Sequence, residues 1–179
     1  MIQLINILLE VSRIEAGRMV LRREPVRLDV LTEELINSFA PYARASNIVL
    51  EFASPAEISP AAGDPERLKM VIQNLLDNAI RYSRSGGRVA TTITPAGPRA
   101  IEWRVRDEGM GISSAERRYI FQKFFRSANA RRQQAQGSGL GLYIARSVIE
   151  ALGGEIGFES EEHQGSTFWF RLPAYEKAH

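Results

Sequence analysis

The sequence predicts an α/β (α+β) two-layer sandwich, a mixed β-sheet packed on helices. Three observations carry that expectation. A long amphipathic helix fits residues 64–82, two consecutive strands with a turn-rich connection follow it, and a further helix leads into a closing hairpin. Strands grouped in this way, rather than alternating regularly with helices, fit two layers better than a doubly wound sheet.

Residues 1–16 carry Ile2, Ile5, Leu8, Leu9 and Ile14 near helical spacing, with Gly17 as the stop. The pattern starts without an N-cap signal, as expected of a helix cut from something longer. Arg22 to Val26 is charged and holds Pro25, so it is expected as a linker. A helix from about Asp29 to Ala45 buries Val30, Leu31, Leu35, Ile36 and Phe39, with Pro41 expected to kink or end it. Ile48 to Phe52 is expected as a strand, and Ser54 to Ala62 as a loop.

The helix after it has the clearest signals. Asp64 suits the N-cap, Pro65 the first helical position and Glu66 the positive helix end. Leu68, Val71, Ile72, Leu75, Leu76 and Ala79 form its apolar stripe. Strands at Arg88–Thr94 and Ala100–Arg106 follow, the second alternating Ile101, Trp103 and Val105 with charged residues. Ser113-Ser114-Ala115-Glu116 resembles a capping box for a short helix reaching about Lys123. Ser127 to Gln136 is polar and aperiodic, and is expected to be mobile. Leu140 to Leu152 is amphipathic and stops at Gly153-Gly154. Glu155–Ser160 and Ser166–Leu172 form a hairpin around His163-Gln164-Gly165.

Composition narrows the function classes. The chain has 179 residues, room for one core-bearing domain and a helical appendage. A net charge of +2 with scattered arginines gives no electrostatic case for nucleic acid. Zero cysteines exclude a disulfide framework and a thiolate metal site. No apolar run approaches the roughly 20 residues of a membrane span.

Three clusters carry chemistry. On the 64–82 helix, Asn74, Asn78 and Arg81 fall on one line beside the apolar stripe. A carboxamide oxygen is a hard ligand suited to magnesium and a guanidinium suits phosphate, although a solvated polar face would give the same pattern. Asp107 ends a strand and is followed by Gly109 and Gly111. A buried carboxylate there can accept from an exocyclic amine, while a strand-end Asx turn is the competing reading. Gly137-Ser138-Gly139-Leu140-Gly141-Leu142 opens a helix after a polar loop, without the strand of a dinucleotide fingerprint or the lysine of a P-loop. Its amides favour phosphate, and a flexible linker is the alternative.

Together the clusters resemble the N, G1, F and G2 boxes of sensor histidine kinases, a family with the Bergerat ATP-binding fold. The matching segments are Asn74-Leu75-Leu76-Asp77-Asn78-Ala79, Asp107-x-Gly109-x-Gly111, Phe121-Gln122-Lys123-Phe124-Phe125-Arg126 and Gly137-x-Gly139-Leu140-Gly141-Leu142. The likeness covers roughly 25–174, and Leu8 to Gly17 is similar to the end of the second dimerisation helix. It implies residues 1–22 as that remnant with a linker, 23–174 as the catalytic and ATP-binding domain, and 175–179 as a tail.

The resemblance also implies roles. Asn78 would ligate Mg2+, supported by Asn74. Arg81 and Tyr82 would flank phosphates and sugar or ring. Asp107 would hold the adenine amine, helped through water by Thr167, with Gly109, Gly111, Ile112 and Phe124 shaping the pocket. Lys123 and Arg126 would position the γ-phosphate, and Ser127 to Gly141, including Gly137, Ser138, Gly139, Leu140 and Gly141 and followed by Leu142, would be the ATP lid. In the family's ATPase relatives a glutamate base stands where Asn74 does. A carboxamide cannot take water's proton, so transfer to a histidine is expected over hydrolysis.

The chain departs from the family in three ways. The first dimerisation helix is not in this sequence, so self-association through a four-helix bundle is not expected of it. Its only histidines, His163 and His179, lie outside any acceptor-like helix, and Lys123 stands where arginine is common. The expected partners are therefore ATP, a histidine-bearing dimerisation domain of the same protein and a response-regulator receiver domain, with no nucleic acid. The full-length protein is expected as a cytoplasmic or inner-membrane-anchored homodimer, and this fragment as a monomer. A degenerate ATP-binding regulatory module and a Bergerat-fold ATPase are the alternatives.

Overall fold

The N-terminal strand shows how the chain enters its core: β1 (Glu24–Val26) pairs antiparallel with β3 (Ala61–Gly63), placing Pro25 opposite Ala62. The computed structural model describes residues 12, 16, 20–133 and 137–176, the side chains of 131–133 excepted. The expected first helix falls outside the described residues, apart from the Ala16 N–H donated to the Ser12 carbonyl at 3.0 Å. His179 and the end of the polar loop fall outside them too.

Helix α1 (Leu28–Ala45) runs through Pro41 without ending there. A proline at that position deprives the Asn37 carbonyl of its helical donor. Asn37 and Pro41 are both exposed, so water can take the lost bond. Strand β2 (Val49–Ala53) precedes the β3 strand, and α2 (Pro65–Tyr82) begins at Asp64, whose carboxylate accepts from the Glu66 and Arg67 amides. Its apolar stripe, Leu68, Val71, Ile72, Leu75, Leu76 and Ala79, is buried as expected.

Strands β4 (Arg88–Pro95) and β5 (Ala100–Asp107) follow. The segment beyond β5 departs from the expected short α-helix. Only a 3₁₀ turn forms at Arg117–Tyr119. The Glu116 carboxylate accepts from the Ser113 hydroxyl at 2.8 Å, and its other oxygen reaches forward to the Ala128 amide at 2.8 Å instead of back to a helix start. That bond begins α3 (Ala128–Gln133), a helix where a mobile stretch was expected. The Ser127 hydroxyl, accepting the Ala130 N–H at 3.1 Å, caps it. Helix α4 (Gly141–Ala151) leads into β6 (Glu155–Glu161) and β7 (Gly165–Pro173).

The main sheet has the order β2-β4-β5-β7-β6. It is mixed: β2 joins β4 in parallel, and the other pairs are antiparallel. One face carries Val89, Ile93, Ile101, Trp103, Val105, Phe170 and Leu172, buried in one cluster with the inner residues of α1, α2 and α4. Trp103 stacks on Phe170 with ring centroids 5.2 Å apart, and its indole N–H donates to the Thr32 hydroxyl at 3.0 Å, fixing α1 on the sheet. The other face carries Glu102, Arg104 and Arg171, joined as ion pairs. The result is the two-layer sandwich expected from the sequence, with all site-bearing loops at one end of the sheet.

Candidate nucleotide-binding site

A cavity of about 890 Å³ opens between α2, the loop after β5, the Phe125–Ser127 segment and the start of α4. Helix α2 turns Asn74, Asn78 and Arg81 into it together, because their spacing puts them beside rather than opposite the buried stripe. Tyr82, Gly111, Ile112, Arg126, Gly137, Ser138, Gly139, Gly141 and Leu142 also line it, with Asp107 at its base.

Asp107 is 5% exposed and is the last residue of β5. Its Oδ1 accepts the N–H of Gly109 at 2.9 Å and of Ser166 at 3.2 Å. Burial pushes the carboxyl up to about 6, against the two amide donors that favour its charged form. Among the described residues no protein group donates to Oδ2. The Asx turn is thus real, on a residue that also lines the cavity.

Asp77 and Arg81 form an i, i+4 pair with Arg81 Nη2 donating to Asp77 Oδ2 at 2.6 Å. The guanidinium is thereby oriented along the cavity wall by a residue the sequence had not singled out. Asn74 lies against the start of α4: a Cβ built on Gly141 would stand 3.3 Å from its Oδ1. Among the described residues no group of three or more histidine, cysteine or acidic side chains is placed to hold a metal. A divalent cation here would need the Asn78 carboxamide oxygen together with phosphate and water ligands. That donor set suits magnesium.

Five expected site residues do not line the cavity. Thr167 sits on β7 between Ser166 and Phe168, both of which do line it. Strand alternation sends Thr167 to the opposite face of the sheet, so Ser166 is the hydroxyl beside Asp107. Phe124 has φ 61° and is 63% exposed. This left-handed residue reverses the side-chain directions around it: Phe125 and Arg126 face the cavity, Phe124 faces out, and Lys123 Nζ lies 5.1 Å from the Tyr143 ring centroid. Leu140 is buried in the core below the glycine run. Gly109 is spent on the α2 terminus, bridging to Ser83.

Sequence reasoning missed Phe39, Met70, Gln73, Met110, Phe125, Ser166 and Phe168. Gln73 and Met70 follow the Asn74–Asp77 edge of α2 and were legible from its helical period. Phe39 comes from α1, and nothing local signals that it reaches the cavity.

The family described as Histidine kinase-, DNA gyrase B-, and HSP90-like ATPase matches residues 63–176. The chain belongs to this family. It is a catalytic domain of the sensor-histidine-kinase type with the Bergerat ATP-binding fold. It is 36% identical over 176 residues to the sensor protein GacS of Pseudomonas syringae pv. syringae, covering 96% of this chain and 19% of that protein. It is 35% identical over 175 residues to the circadian input-output histidine kinase CikA of Synechococcus elongatus, covering 97% of this chain and 23% of that protein. The chain therefore spans about a fifth of the length of these curated relatives. Among solved structures, full-length ShkA in complex with AMPPNP superposes with a TM-score of 0.84 at 28% identity, covering 98% of this chain and 36% of that one. The mycobacterial sensor histidine kinase MprB gives 0.73 at 32% identity, covering 84% of this chain and 98% of that one. Membership implies ATP and magnesium as ligands of this histidine-kinase domain. Among the described residues no helix is long and apolar enough to cross a membrane.

Proposed function

We propose that this chain binds Mg-ATP in the cavity and delivers the γ-phosphate to a histidine on a dimerisation domain outside it, for relay to a response-regulator aspartate. The observation that carries the reading is Asp107, a buried carboxylate with one oxygen held by two backbone amides and the other left for a ligand amine. The adenine amine donates to that second oxygen. Ile112 and Phe168 supply apolar surface to the ring. Arg81, already oriented by Asp77, faces the phosphates, and Arg126 faces the γ-phosphate end.

Asn78 would hold Mg2+ through its carboxamide oxygen, and the ion when bound would supply neutralisation of phosphate charge. Asn74, a carboxamide, leaves water without a base, so the transfer depends on positioning a nucleophile rather than generating one. Lys123 and Thr167 do not line the cavity, so this reading gives them no direct contact with ATP. Residues 23–174 act as the catalytic unit, with 1–22 leading from the dimerisation domain and 175–179 as a tail. The partners are that domain, of the same homodimeric protein, and a receiver domain.

The test mixes this chain with a separate histidine-bearing dimerisation fragment and γ-labelled ATP. Acid-labile, base-stable label on the fragment is the expected result. ATP binding without label overturns phosphotransfer and leaves an ATP-binding module, and phosphate release to water alone favours an ATPase.

A further inference from the structure

Asp107, Ser166 and Ser160 stand side by side on three adjacent strands. The register sets Asp107 opposite Ser166 and Ser160 opposite Ser166. Directly opposed residues share a face, so all three side chains leave the sheet on the helix side, at the cavity end. Neither the mechanism above nor family membership gives Ser160 a task.

Its hydrogen bonds give it one. Ser160 Oγ donates to the Gly165 carbonyl at 3.0 Å, accepts the Ile112 N–H at 2.9 Å and lies 2.9 Å from Ser166 Oγ. A hydroxyl has one hydrogen and two lone pairs. With the hydrogen on Gly165 and one lone pair on Ile112, the last contact can form only if Ser166 donates. Ser166 then has no hydrogen left for the cavity it lines and presents lone pairs alone, beside the open oxygen of Asp107. The Asp107 and Ser166 side chains at this end of the pocket thus offer acceptors only. The same oxygen of Ser160 ties Ile112, the far end of the loop after β5, to the hairpin, as the His163 N–H ties Met110 at 2.7 Å.

We propose that Ser160 is a specificity-positioning residue: by locking the Ser166 hydroxyl as an acceptor it selects a 6-aminopurine over a 6-oxopurine. The inference rests on the ATP reading above. An amino edge donates to an acceptor wall, whereas a 6-oxo edge brings a third acceptor against two. Once the Ser160 hydroxyl is gone, Ser166 is free to turn its hydrogen toward the cavity and meet an oxo group.

The test titrates ATP and inosine triphosphate by calorimetry against the wild-type chain, Ser160→Ala and Ser160→Thr. The wild type prefers ATP. In Ser160→Ala the ATP-to-ITP preference shrinks about five- to tenfold, the scale of one hydrogen bond, and Ser160→Thr retains it. A merely structural role would weaken both nucleotides equally. An unchanged preference in Ser160→Ala, or an equal loss for both nucleotides, overturns the inference while the ATP reading stands. Failure of ATP to bind the wild type sinks both. If Ser160→Ala does not fold, Ser166→Ala takes its place: its preference should shrink similarly, and an unchanged one overturns the proposal.

Discussion

The carboxylate of Asp64 accepts the backbone N–H of Arg22 at 3.1 Å, joining positions 42 residues apart. Its other oxygen accepts from Glu66 at 3.1 Å and Arg67 at 3.3 Å. One side chain thus caps the helix that carries Asn74, Asn78 and Arg81 and anchors the segment entering the domain. The linker expected at 22–26 is part of the folded unit, through this bond and through β1.

Asp64→Ala removes a cap and a long-range acceptor from a buried site. The expected loss is roughly 2 kcal/mol of unfolding free energy, read from urea denaturation, with Asp64→Asn losing less. Burial alone would push this carboxyl up, but the amides of Arg22, Arg67 and Glu66 and the Arg22 guanidinium hold it below the ordinary range. Its contribution is therefore full above roughly pH 4 and lost as pH falls through the lowered value, so the gap between wild type and Asp64→Ala narrows in acid.

Asp107 has the opposite sign. Held up to about 6 by burial, it keeps its proton in the folded chain over a range where the unfolded chain has lost it. Its effect on stability is neutral in strong acid, grows unfavourable as pH rises from roughly 4 to about 6, and is constant above that. Binding an amine donor requires the ionised carboxylate. ATP affinity should therefore fall several-fold between pH 7 and pH 5, with proton release detectable by calorimetry in buffers of different ionisation enthalpy. Asp107→Asn should bind weakly and lose this pH dependence.

Gly139 has φ 68°, and a Cβ there would stand 2.7 Å from the Phe124 carbonyl carbon and 2.8 Å from the Phe125 oxygen. The glycine run and the Phe121–Arg126 segment meet backbone to backbone at this point. Gly139→Ala should displace Arg126 and lower ATP affinity at least tenfold. Gly97 also has positive φ, 85°, but has nothing within 4 Å of a built Cβ. Gly97→Ala should cost only backbone strain, about 1 kcal/mol in thermal or urea unfolding, and leave ATP affinity unchanged.

Local patterns were legible where one segment carries its own signal. Asp64-Pro65-Glu66 and the stripe behind it specify α2, and the same helical period placed Asn74, Asn78 and Arg81 on one edge. The alternation of Ile101, Trp103 and Val105 likewise specified β5. Glu24–Val26 was hidden, because a three-residue strand containing proline is recognisable only by the partner that pairs with it. Thr167 and Lys123 lie off the cavity wall, because strand phase and a left-handed Phe124 set side-chain direction, and motif spacing records neither.

The sequence by itself determined the layered fold, the helix that carries two asparagines and an arginine to one edge, and the carboxylate at the end of a strand. Periodicity and capping act within a few residues, so they survive in a linear reading. Only the tertiary structure decided that Ser166 rather than Thr167 stands beside Asp107, that Phe125 rather than Phe124 faces the cavity, and that Ser160 completes the row. Those outcomes depend on strand register and on backbones that meet far along the chain, where each neighbour is chosen by packing rather than by spacing.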